Sequence, residues 1–207
     1  MKTSKKHFLF FATLISFLFL INVAAAQEIQ RVNKFVFDTV PLDLQELTDT
    51  ADRIFTGVCT NVEKVDKDPI AKLSIVKYTF KIVDKIKGLE GKSTVTFKQW
   101  GVLSSDSNYL IGKKYILFLY PNSEKGLTSP VGYLQGQFDI RKDKSNNEIV
   151  KNKSGNIGLT RSIVTRKRIV FRQDSELNDY IDKCSQESDF IRYKDFVKAV
   201  KYLIGNK

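Results

Sequence analysis

Histidine is nearly absent from this 207-residue chain. The single example, His7, lies in the first 26 residues, and none follows. That excludes Ser-His-Asp and Cys-His nucleophilic sites beyond residue 26, together with zinc sites that use histidine. Cysteine is almost as scarce. Cys59 and Cys184 stand far apart without CxxC spacing, too few ligands for a thiolate zinc site. The acids Asp66, Asp68, Asp139 and Asp143 lack the D-x-[DN]-x-[DN]-G spacing of a calcium loop. No metal or cofactor is therefore expected. Internal repeats and low-complexity linkers are also missing.

Residues 1–26 read as a cleavable secretory signal peptide. Lys2, Lys5 and Lys6 give a positive start. Phe8 to Val23 is apolar apart from Thr13, Ser16 and Asn22, and Ala24-Ala25-Ala26 places small residues before Gln27. The apolar run is shorter than the roughly 20 residues of a spanning helix, and no cysteine near the boundary could carry a lipid. The expected location is secreted or periplasmic, with no transmembrane segment after cleavage. Residues 27–207 suffice for one domain with a real core.

The whole chain carries a formal charge of +11, and loss of the three leading lysines leaves +8. A basic surface attracts polyanions such as lipid headgroups or acidic polysaccharide. Export removes intracellular nucleic acid from the candidates. The same charge also suits a solvated, lysine-rich surface without a dedicated partner. In an oxidising compartment Cys59 and Cys184 are candidates for a disulfide, worth about 4–5 kcal/mol in the chain-entropy model. The competing reading is two buried thiols: Leu177, Tyr180, Ile181 and Cys184 fall at i, i+3, i+4, i+7, one apolar helix face.

Residues 27–41 read as extended. Asp43, with Glu46 three residues on, predicts a capping box for a short helix whose stripe is Leu44, Leu47 and Ala51. Strand signals then dominate. Residues 53–65 are rich in β-branched side chains, with Gly57 as a bulge or tight bend, and 66–69 form a turn. Over 72–87, Val76, Tyr78, Phe80 and Ile82 share one face while Lys77, Thr79 and Lys81 take the other. Leu73 and Ile75 are out of phase, which predicts a bulge near Ile75. Residues 88–91 turn the chain into a strand with Val95 and Phe97. The continuous apolar run Tyr115 to Tyr120 predicts a strand buried on both faces and stopped by Pro121. Leu134, Phe138 and Ile140 alternate with polar residues. Residues 142–160 read as a polar hairpin or loop, and 161–172 as a basic strand. Two helices follow, one capped by Ser175. The other, from about Asp189 to Ile204, has a stripe of Tyr193, Phe196, Val197, Val200, Leu203 and Ile204 that docks it on the sheet.

The stretches LQELTDTADRIFTG (44–57), IVDKIKG (82–88), IGKKYILFLYP (111–121) and SDFIRYKDFVKAVKYLI (188–204) resemble a layout of exported bacterial proteins without an assigned role. More distantly, they resemble the netrin-like domain of tissue inhibitors of metalloproteinases, an OB-type barrel. The resemblance implies a mainly β fold: a five- to six-stranded OB/netrin-like barrel over 27–174, with a short N-terminal helix. Residues 175–207 would form C-terminal helices packed on it. It does not imply metalloproteinase inhibition, which in that family uses an N-terminal cysteine within a disulfide framework; here no cysteine precedes Cys59 beyond the signal. An Ig-like sandwich is the alternative, but it needs about seven short strands, and five or six are legible, one unusually long.

Two patches stand out. Arg161, Arg166, Lys167, Arg168 and Arg172 form the densest positive cluster, suited to phosphate or sulfate, or equally to a charged edge strand that resists aggregation. Trp100 reads first as a core residue and second as a ligand-binding aromatic. Asn152-Lys153-Ser154 matches a glycosylation sequon. The leading expectation is a non-enzymatic exported domain that binds a protein or an envelope polysaccharide. The alternatives are a structural envelope component and a hydrolase that works without histidine, through paired carboxylates or Ser/Lys.

Overall fold

Asp43 opens the first helix, α1 (Leu44–Thr50). Its carboxylate accepts from the Glu46 N–H at 2.9 Å, and the Glu46 carboxylate accepts from the Asp43 N–H at 2.8 Å. This is the capping box expected from the sequence, and it satisfies two otherwise orphaned donors. Leu44, Leu47 and Ala51 are buried as a stripe. At the other end the Lys87 ammonium donates to the carbonyls of Thr48 and Ala51, placing a cation at the helix C-terminus.

The computed structural model describes residues 40–70, 72–101, 109–156, 158–161 and 191–205. After α1 come β1 (Arg53–Lys67), β2 (Ser74–Lys87), β3 (Thr94–Trp100), β4 (Lys114–Leu119), β5 (Gln137–Lys142), β6 (Glu148–Asn152), β7 (Ile191–Arg192) and α2 (Tyr193–Gly205). The seven strands make one antiparallel sheet in the order β3-β2-β1-β4-β5-β6-β7. The mainly β class and the helix at each end agree with the sequence. The strand count does not: five to six were expected, and no ladder joins β3 to β7, so the sheet is not a closed barrel. The additional strands are β6, from the segment read as a polar hairpin or loop, and the two-residue β7, from the start of the expected last helix. The expected helix capped by Ser175 lies outside the described residues.

β1 is long because it serves two neighbours. Its first half pairs with β4, from Arg53↔Leu119 to Val58↔Lys114, and its whole length pairs with β2. Four register irregularities bend that β1–β2 ladder. One lies between Thr56 and Gly57, where a Cβ on Gly57 would stand 3.0 Å from the Phe55 ring and 3.2 Å from the Lys81 carbonyl. Another, between Lys64 and Asp66, lies opposite Val76 and Ile75. The bulge expected near Ile75 therefore has its extra residue, Val65, on the partner strand. The segment after β4 reaches back to both ends of this half of the sheet. Leu127 forms a parallel bridge with Lys98 of β3, and Pro130 an antiparallel bridge with Leu119 of β4.

The sheet separates two cores. On one side Phe55, Cys59, Tyr78, Phe80, Val95, Phe97, Tyr109, Tyr115, Leu117 and Leu119 pack together. Phe80 and Phe97 are stacked at 5.8 Å, and Tyr109 meets Tyr78, Phe80, Phe97 and Tyr115 edge-on, the geometry that aromatic quadrupoles favour. On the other side Ile54, Ile116, Phe118 and Phe138 pack under α1 and α2, against Leu47, Phe196, Val197 and Val200. β4 contributes alternate residues to both cores. That is the physical meaning of its unbroken apolar run.

Candidate ligand-binding face

Among the described residues, the face of the sheet that carries the helices is covered over only part of its length. α1 and α2 shield it as far as Thr56, whose hydroxyl lies 3.1 Å from the Tyr193 hydroxyl, and Asp84, which pairs with Lys201 of α2 at 3.2 Å. Beyond that, β1 runs on with β2 and β3 as a three-stranded ribbon. Register fixes what its bare face displays. The rows across β1, β2 and β3 are Asp66, Ile75 and Trp100; Glu63, Lys77 and Lys98; Asn61, Thr79 and Thr96; and Val58, Lys81 and Thr94.

Contacts confirm that these side chains share the face. The Lys77 ammonium meets the Glu63 carboxylate at 2.6 Å, and the hydroxyls of Thr79 and Thr96 are 3.1 Å apart. The β2–β3 strip carries three lysines and no acid, since Glu63 and Asp66 sit on β1. Lys98 and Lys81 are exposed, with no ion pair among the described residues. Trp100 is 47% exposed at the end of the strip. The core position expected for Trp100 is thereby corrected. Strand parity explains the placement: Val95 and Phe97 point inward, and Trp100 lies three residues beyond Phe97, hence on the opposite face. The same parity puts Thr96 and Lys98 beside it. Parity was the available signal, outweighed by the general tendency of tryptophan to be buried.

The other candidates are placed differently. Arg161 is exposed at the start of α1, donating to the Pro41 carbonyl at 3.2 Å and to the Glu46 carboxylate at 3.4 Å. The rest of that cluster, Arg166, Lys167, Arg168 and Arg172, lies outside the described residues. Cys59 is a free thiol buried in the aromatic core. Burial pushes its pKa up, against a smaller opposing contribution from the Asn61 backbone. A raised pKa leaves little thiolate, the nucleophilic form. Its candidate partner Cys184 lies outside the described residues. Asn152 of the sequon is buried, with its side-chain amide donating to the Gln135 carbonyl at 3.1 Å. Asn152 and Asn156 also exchange side-chain-to-backbone bonds at 2.9 and 2.8 Å, a structural use of the asparagine.

The buried carboxylates among the described residues are Asp43 and Asp68. Both accept from nearby backbone, Asp43 from Glu46 and Asp68 from Ile70. No group of three or more His, Cys, Asp or Glu among the described residues could hold a metal ion. No described helix is long and apolar enough to cross a membrane. No protein-family model matches the chain, and no curated protein matches it.

Proposed function

We propose that this chain is an exported, non-enzymatic binding domain, directed out of the cytoplasm by residues 1–26, whose ligand is a protein or an envelope polymer. The binding surface is the bare β1–β3 face. The observation that carries this reading is the half-exposed Trp100 beside a lysine strip on a sheet face that the helices leave open. We further propose an OB/netrin-like barrel for the half of the molecule formed by β1 to β4. Its support is the long bent β1 shared between β2 and β4, and the bridges from Leu127 to β3 and from Pro130 to β4. OB barrels bind ligands across one sheet face.

The test is capture from envelope extract by tagged protein, with wild type compared against Trp100→Ala and Lys98→Glu. Wild type retains one stoichiometric partner or one polymer, and both variants lose it while melting at the wild-type temperature. Equal retention by the variants sinks the surface assignment. Turnover of a substrate that one side-chain substitution abolishes sinks the non-enzymatic reading.

A further inference from the structure

We infer that the ligand of this face is an acidic polysaccharide, lying along the β2–β3 strip with a sugar ring against Trp100 and its carboxylate or sulfate groups over the lysines. The inference rests on the binding role proposed above and goes further by naming the chemistry. Lys77 and Lys98 are direct cross-strand neighbours. Like charges in that position destabilise a sheet, and the one carboxylate in that row, Glu63, pairs with Lys77, while Lys98 has no ion pair among the described residues. Lysines on an edge strand discourage sheet-to-sheet association, but that role requires neither a facing lysine pair nor an exposed tryptophan beside it. An anionic group bridging Lys77 and Lys98 removes the repulsion.

The layout suits an extended chain better than a single ion. Lys77 and Lys81 are four residues apart on β2, about 13 Å at strand rise. Between them the Thr79 and Thr96 hydroxyls offer hydrogen-bonding groups at the same surface. Trp100 stands two residues, about 7 Å, beyond Lys98. Its indole offers an apolar platform with a negative π-face, complementary to the C–H face of a pyranose. A protein partner fits less well, because interface centres are depleted in lysine and built on several aromatic or arginine anchors. Here three lysines line the strip and a single aromatic ends it.

Trp100 is the only tryptophan in the chain, so intrinsic fluorescence reports on this face directly. Full-length protein is titrated with oligogalacturonate, with neutral dextran, and with anionic phosphatidylglycerol vesicles. Oligogalacturonate shifts Trp100 emission saturably and binds more weakly as salt rises, as screening requires. The Lys77→Ala/Lys98→Ala double variant, which keeps the fluorophore, binds it at least tenfold more weakly with a melting temperature no lower than that of wild type. Dextran and vesicles leave the emission unchanged. No response to oligogalacturonate, an equal response to dextran, a response to vesicles alone, or full affinity in the double variant overturns the inference. If oligogalacturonate fails while an envelope partner is still captured by wild type and lost by Trp100→Ala, only the polysaccharide assignment falls. If capture is also indifferent to Trp100, the proposed binding face falls with it.

Discussion

Tyr109 is fully buried and its hydroxyl has no hydrogen-bond partner among the described residues. Tyr115, its neighbour at 5.3 Å in the same aromatic core, accepts a 3.0 Å bond from the Leu110 N–H. Identical substitutions at these two positions should therefore act in opposite directions. A buried polar group left unpaired costs about 1–3 kcal/mol. Tyr109→Phe removes that cost and keeps the ring against Tyr78, Phe80, Phe97 and Tyr115. It should stabilise the fold by about 1 kcal/mol, raising the melting temperature by about 2–4 °C for a domain of this size. Tyr115→Phe leaves the Leu110 N–H without its acceptor and should destabilise by a similar amount. Urea denaturation of both variants beside wild type gives the comparison, at unchanged m-value. A Tyr109→Phe protein less stable than wild type by 1 kcal/mol or more would refute the reasoning, because the hydroxyl would then be bonded in solution.

Two further outcomes follow from the same structure. A Cβ on Gly136 would stand 2.6 Å from the Val131 carbonyl oxygen, 2.8 Å from its nitrogen and 3.0 Å from the Phe118 carbonyl oxygen, all backbone atoms that cannot swing away. Gly136→Ala should cost about 3 kcal/mol, seen as a lower urea midpoint; an unchanged midpoint contradicts the close approach. At high pH, burial holds Tyr78 up at about 12 and raises Tyr109 well above and Tyr115 above their usual value. Their neutral forms favour the folded state, so this stabilisation is full below pH of about 10 and is lost as pH rises towards 12. Tyrosinate absorbance from these three should appear together with loss of circular dichroism; complete tyrosine ionisation with the dichroism intact would contradict their burial.

Much of the fold was legible because single elements obey local rules. The Asp43/Glu46 box, the Tyr78/Phe80 alternation and the double-sided Tyr115–Tyr120 run each state their own structure. The helix stripe of Phe196, Val197 and Val200 was equally plain, although the chain is still extended at Ile191 and Arg192 before that helix begins. Sheet order was not legible, because pairing depends on contacts between distant segments that no local period records. Glu148–Asn152 has the sequence pattern of a polar hairpin or loop because its strand is short, and only Val150 and Asn152 are buried. Buried Gln135 left no trace in the pattern. Its side chain accepts from the Leu42 N–H at 2.6 Å and donates to the Val40 carbonyl at 3.1 Å, holding the chain entering α1. Of the candidate face, the sequence displayed the Lys77, Thr79 and Lys81 side of β2. It withheld that β3 would lay Lys98 and Trp100 alongside, which is a matter of register.

The two cores on either side of the sheet also divide the chain in time. Among the described residues, every buried member of the aromatic core falls between Phe55 and Leu119, so these side chains are all present once the first part of the domain has emerged. The other side draws on Ile191, Phe196, Val197 and Val200 near the end of the chain. A chain synthesised amino terminus first would carry the side chains of the aromatic half before α2 arrives. Until then Ile54, Ile116 and Phe118 would face water. That interval is when the chain is most exposed to aggregation, and the closing helix is what ends it.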